Sequence, residues 1–146
     1  MRDVLQYFDL IARFIELSPA VTAELDLDQL DHKRGTVDGT VYFADGSRLE
    51  FTERIVIERA RPIKRSYRYQ YVAEQKPLFR YDNAPHHQNL AGFPHHKHVG
   101  RKTISASEPT LKQILQEVSE VLPAAAESAE PTSAHKRRRT QGPVHN

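Results

Sequence analysis

Between residue 20 and residue 82, apolar side chains keep returning at every second position, and this period constrains the fold more than any other feature of the chain. A period of two belongs to an extended strand with one face on a core and the other in water. In residues 20–31, Val21, Ala23, Leu25 and Leu27 share one parity against Thr22, Glu24, Asp26 and Asp28. Gly35 then breaks the run. Residues 36–43 place Val37, Gly39, Val41 and Phe43 on one face, and residues 48–58 do the same with Leu49, Phe51, Ile55 and Ile57. Asp45-Gly46 between them fits a tight turn that needs positive φ, so the two segments form a hairpin. Residues 64–73, KRSYRYQYVA, put Arg65, Tyr67, Tyr69 and Tyr71 on one side and Lys64, Ser66, Arg68 and Gln70 on the other. Residues 77–82 read as a further short strand reached through Glu74-Gln75-Lys76, with Leu78, Arg80 and Asp82 opposite Phe79 and Tyr81.

The two ends of this region have a helical period instead. Val4, Phe8, Ile11 and Ile15 make an apolar stripe over residues 3–17, with Asp3 at its start and Ser18-Pro19 at its end. A second helix follows Ser107-Glu108-Pro109, with Ser107 as its N-cap and Leu111, Ile114, Leu115, Val118, Val121 and Leu122 on its apolar face. Residues 83–106 have no clear periodicity. The expected fold is α+β: one domain over residues 1–122, with an N-terminal helix, a four- to five-stranded antiparallel meander, and a C-terminal helix packed on the sheet. Residues 123–146 are rich in Ala, Pro and Ser before HKRRRT, and are expected to form a disordered basic tail.

Charge divides the chain. Residues 1–58 carry a net charge of −6, residues 59–122 a net of +6, and the tail a net of +2. The basic half points to a polyanionic or acidic partner, unless the two halves neutralise each other across the fold. There is no cysteine, which excludes disulfides and thiolate metal sites. No run approaches the roughly 18 apolar residues of a membrane span, and the charged N-terminus lacks a signal-peptide core, so a soluble, cytoplasmic protein is expected.

Five of the eight histidines lie between Pro77 and Val99: His86, His87, His95, His96 and His98. Core packing does not ask for such a cluster, and imidazole suits proton transfer, metal ligation or phosphate binding. Three chemistries are open. The first is metal-free phosphodiester cleavage, with the five histidines as acid, base and phosphate contacts and Asp82 orienting a ring. Arg80, Lys97 and Arg101 are then the nearest cations, and Arg65 and Arg68 add nucleic-acid contacts on the Arg/Tyr strand. The second is a metal site of two or three histidines plus Asp82; in an extended segment His96 and His98 share a side and His95 does not. The third is structural, with the histidines bonding loop carbonyls. We expect the first, with no metal and no cofactor.

At this stretch the sequence resembles a known family. YRYQY at 67–71, LFRYDNAPHH at 78–87 and FPHHKHV at 93–99 resemble the TumE toxins of the bacterial TumE–TumA toxin–antitoxin system. VYFADGSRLEF at 41–51 and the helix after Ser107-Glu108-Pro109 are similar too, so the resemblance covers roughly residues 20–122. It implies a toxin of a type II system whose partner is a helix-turn-helix antitoxin, TumA-like, encoded beside it. It brings no established catalytic assignment, only the matching positions 80–87 and 93–98. Many small toxins cleave RNA, and by analogy of class RNA is the expected target. The alternatives are a non-enzymatic toxin that binds nucleic acid or protein, and a metal-dependent nuclease.

Overall fold

The computed structural model describes residues 1–85, 90–122 and 133–140. Helix α1 (Val4–Glu16) is followed by β1 (Thr22–Gln29), β2 (Arg34–Tyr42), β3 (Arg48–Glu58), β4 (Arg61–Ala73), β5 (Lys76–Asp82), β6 (His96–Val99) and β7 (Lys102–Ser105). Helix α2 (Leu111–Val121) and β8 (Ser133–Thr140) complete the order. β1 to β7 form an antiparallel meander, each strand paired with the next in sequence. The α+β expectation holds, but the meander has seven strands rather than four or five. The two extra strands, β6 and β7, lie in residues 83–106, where segments of four residues are too short to show a period.

The tail contributes one further strand. Ser133–Thr140 runs parallel to β1, with Asp26 opposite Arg137. Residues 123–132 and 141–146 lie outside the described residues.

Both helices cover one face of the sheet. Val4, Phe8, Ile11 and Ile15 of α1 and Leu111, Ile114, Leu115 and Val118 of α2 are buried with Leu25, Leu27, Val37, Leu49, Phe51, Tyr69 and Tyr71 in one core. Asp3 caps α1 by accepting from the Leu5 N–H at 2.7 Å. The α2 cap is Thr110, not Ser107: its hydroxyl accepts from Gln113 N–H while the Gln113 amide accepts from Thr110 N–H, a capping box one turn later than expected.

Gly35 is not a break. It lies inside β2 opposite Gln29, and a Cβ there would meet the Phe8 ring at 2.7 Å and the Asp28 carbonyl at 2.9 Å. Glycine lets α1 approach the sheet this closely. The turns Arg59-Ala60 and Glu74-Gln75 have positive φ at all four residues without any glycine, and the second falls where the connection between the last two expected strands was placed.

A bulge opposite Arg54 and Ile55 shifts the register of β4: Arg54 pairs with Ser66 and Ile55 with Lys64. The extra residue is Arg65, and it reverses the expected parity. Lys64, not Arg65, joins the tyrosines on the helix side, and the Arg65 side chain is exposed beside Glu58.

Candidate functional site

Strand pairing builds a polar surface on the face that the helices leave open. Opposite residues in an antiparallel ladder share a face. Arg68, Asp82, His96 and Ser105 therefore form one row across β4 to β7, and Gln70, Arg80, His98 and Thr103 form the next. The other parity, Tyr69, Tyr71, Phe79 and Tyr81, faces the helices. Asn83 marks where β5 leaves the ladder. Its amide accepts from Tyr67 N–H at 3.0 Å and donates to the Arg65 carbonyl at 3.2 Å, taking the place of a peptide unit beside β4.

Asp82 is the centre of this surface. Its side chain is 8% exposed, and its Oδ1 lies 2.7 Å from Nε2 of His96, itself 2% exposed. Nδ1 of His96 lies 2.9 Å from the Pro94 carbonyl. Oxygen atoms thus face both ring nitrogens of His96. On the other side, Arg80 Nε donates to Asp82 Oδ2 at 2.9 Å, and Arg80 Nη2 donates to His98 Nε2 at 3.0 Å. Arginine has no acceptor, so His98 Nε2 presents its lone pair and the ring proton sits on Nδ1, 3.2 Å from the Thr103 hydroxyl. His98 Nε2 is also 3.6 Å from Asp82 Oδ2, and the two imidazoles meet edge to face at 4.8 Å. One potential ligand atom from each of Asp82, His96 and His98 lies within 4.8 Å of the others.

The site therefore gathers Asp82, His96, His98 and Arg80, with Arg68 next to Asp82 across the sheet. His95 turns away, as the alternation requires. Its Nδ1 is 2.8 Å from the Tyr67 hydroxyl and its ring stacks on Tyr67. Burial, and then the charges of Glu108 and Asp82, push that phenol up from its usual range. Lys97 faces the helix side, where it donates to Glu117 at 3.0 Å and stands over the Tyr81 ring. Burial alone would lower its ammonium, but hydrogen bonds with Tyr81 and Glu117 hold it above the ordinary value. Arg101 is exposed in the β6–β7 turn. His86 and His87 lie outside the described residues. Tyr67, Tyr69 and Tyr71 are 3%, 0% and 1% exposed, so the interleaved tyrosines are core and offer bases no stacking platform.

A second carboxylate belongs to the opposite face. Glu53 is fully buried on the helix side, where it accepts hydrogen bonds from the hydroxyls of Tyr7 and Tyr69. Lys64 Nζ stands 3.7 Å from it and donates to the Tyr69 hydroxyl at 2.6 Å and to the Pro109 carbonyl at 2.5 Å. Burial, reinforced by Glu53, pushes both phenols far up, while burial lowers Lys64 against the pull of Glu53. The signal was available: Glu53 shares the parity of Phe51 and Ile55, a charge where the period demands an apolar side chain.

The class of protein is thus a seven-stranded antiparallel meander with two helices on one face and a carboxylate–histidine–arginine cluster on the other. The family model described as Toxin TumE matches residues 11–125, most of the chain, and the chain belongs to that family. It is the toxin of a toxin–antitoxin system, with an antitoxin as its partner. No curated protein and no solved structure matches the chain. Among the described residues, no helix is long and apolar enough to cross a membrane.

Proposed function

We propose that this toxin is a metal-independent endoribonuclease with His98 as its general base. The observation that supports it most is the state of His98: partly exposed at 24%, its Nε2 lone pair held by Arg80, and its Nδ1 anchored on Thr103. Behind it, Asp82 and His96 form a buried pair that fixes Arg80 from the other side. When a phosphodiester docks, the guanidinium turns to its non-bridging oxygens and frees the His98 lone pair. His98 takes the proton of a ribose 2′-hydroxyl, the new O2′–P bond forms and the P–O5′ bond breaks. The products are a 2′,3′-cyclic phosphate and a 5′-hydroxyl, whose proton comes from a general acid. His86 and His87 are the residues in which to seek that acid, since His95 is turned to the Tyr67 side. His96 is a positioning residue, since a ring 2% exposed reaches no substrate. A general base of this kind contributes about 10²–10⁴-fold.

The open face also restrains the path of the RNA. Beyond Arg68 the same rows continue through Thr52 and Asp38 to Asp26, and through Glu50 and Thr40 to Glu24. Those four carboxylates outnumber Arg137, which stands opposite Asp26 on β8, and repel phosphates, so RNA lies over β4 to β6, where Arg68 and Arg80 meet it. The toxin acts in the bacterial cytoplasm, and its antitoxin is a helix-turn-helix protein of the TumA kind, as the resemblance implies.

The test is cleavage by the purified full chain in the presence of a chelator, on an RNA oligonucleotide and on DNA of the same sequence. The expected result is RNA cleavage with cyclic phosphate ends and intact DNA. Equal cleavage of DNA, or growth arrest in cells with RNA left intact, overturns the reading.

A further inference from the structure

We propose that Asp82, His96 and His98 also take a divalent cation of the zinc class, and that this cation switches the site off. The direction of the effect rests on the metal-free reading above; the binding site does not. Two imidazoles and a carboxylate on neighbouring strands are a donor set that suits zinc. Their ligand atoms already lie within 4.8 Å of one another. The outer nitrogens are arranged as in metal sites, where a ligating histidine rests its second nitrogen on a fixed acceptor. Nδ1 of His96 is on the Pro94 carbonyl and Nδ1 of His98 is on the Thr103 hydroxyl, so both Nε2 atoms point at Asp82. Little rearrangement of the backbone is needed, because β5 and β6 hold all three residues in register.

Arg80 decides what the cation does. Its guanidinium holds Asp82 Oδ2 and His98 Nε2, two of the atoms the metal requires. Two positive groups cannot share them, so a bound metal displaces Arg80 and replaces the proton between His96 and Asp82. The loaded site has no lone pair left on His98 to accept the 2′-hydroxyl proton. Arg80 is thus a competitor of the metal, and the arginine-held and metal-held states are alternatives.

The experiment is calorimetric titration of the full chain with zinc chloride, followed by RNA cleavage with and without the metal. One cation binds per chain, cleavage slows, and a chelator restores it. His98→Ala weakens binding by about tenfold or more, and Thr103→Val weakens it by about tenfold through the lost outer contact. Arg80→Met binds zinc more tightly while losing cleavage, which distinguishes competition from a structural role. His98→Gln provides a second removal of the ligand should the alanine variant fail to fold. Absence of binding, or binding indifferent to both His98 variants, overturns the site and leaves the ribonuclease reading standing. Binding at these residues that accelerates cleavage overturns both the switch and the metal-free mechanism.

Discussion

Two carboxylates sit on opposite faces of the same sheet, and their surroundings set their roles. Glu53 faces the helices, is 0% exposed, and is held by groups from α1 and β4. Asp82 faces the open side, is nearly as buried, and is held by groups from β5 and β6. The difference lies in what stands one contact further out. Beyond Glu53 come the core and the Pro109 carbonyl. Beyond Asp82 come Arg80 and His98, whose side chains are 35% and 24% exposed. A sealed cluster joins elements together, whereas a cluster with a part-open outer layer can act on a ligand.

The largest effect falls on the sealed cluster. Glu53→Ala leaves the Lys64 ammonium buried without its counter-charge and removes the acceptor of two phenols. Breaking a buried pair in this way costs about 3–5 kcal/mol, read from the urea midpoint. Adding Lys64→Met to that variant recovers a large part of the loss, because an apolar side chain needs no partner there. If Asp82→Ala proves as destabilising as Glu53→Ala, the contrast between the two clusters collapses.

The second effect falls on activity. His98→Ala lowers RNA cleavage by about 10²–10⁴-fold and relieves growth arrest in cells. The same variant shifts stability by no more than about 1 kcal/mol, since the ring is part-exposed and packs at the open face. Cleavage unchanged in a folded His98→Ala protein removes the base from the mechanism.

A third effect separates the clusters by pH. Tyr7 and Tyr69 have folded values raised above the ordinary 10, chiefly by burial and then by Glu53. The stability they contribute is therefore complete below pH 10 and is lost as pH rises above it, where only the unfolded chain ionises. Lys64 works the other way: its folded value is lowered by burial, so its contribution rises with pH up to 10.5. Two phenols outweigh one ammonium, and the urea midpoint falls once the pH passes 10. In Tyr7→Phe the fall is shallower. A midpoint that stays flat through this range would show that the two phenols are not buried in the Glu53 cluster.

The helix-side face was legible in the sequence, because apolar alternation reports burial directly. The open face was less so. Arg80 and Asp82 stood out beside the histidines, and the opposed directions of His95 and His96 follow from alternation alone. That His96 and His98 meet Asp82 depends on the β5–β6 register, set by a connection with no periodicity to read. Parity puts Arg65 on the wrong side because a bulge leaves no mark until its partner strand is known. Glu53 is hard to single out because one polar residue in an apolar period looks like an interruption rather than a centre.

The smallest effect tests the open face at two arginines of one strand. Arg68 stands beside Asp82 in the ladder, and Arg65 is turned out by the bulge to pair with Glu58, their side chains 62% and 43% exposed. An exposed pair of that kind contributes little, so Arg65→Ala leaves stability within about 0.5 kcal/mol and RNA affinity unchanged. Arg68→Ala removes one phosphate contact. It weakens RNA binding at every sequence and reduces the slope of log affinity against log salt by about 1, while the cleavage rate at saturation stays near its original value. Equal salt slopes in the two variants would mean that RNA approaches along the strand end rather than across the open face, and Asp82 would lose its place at the centre of the binding surface.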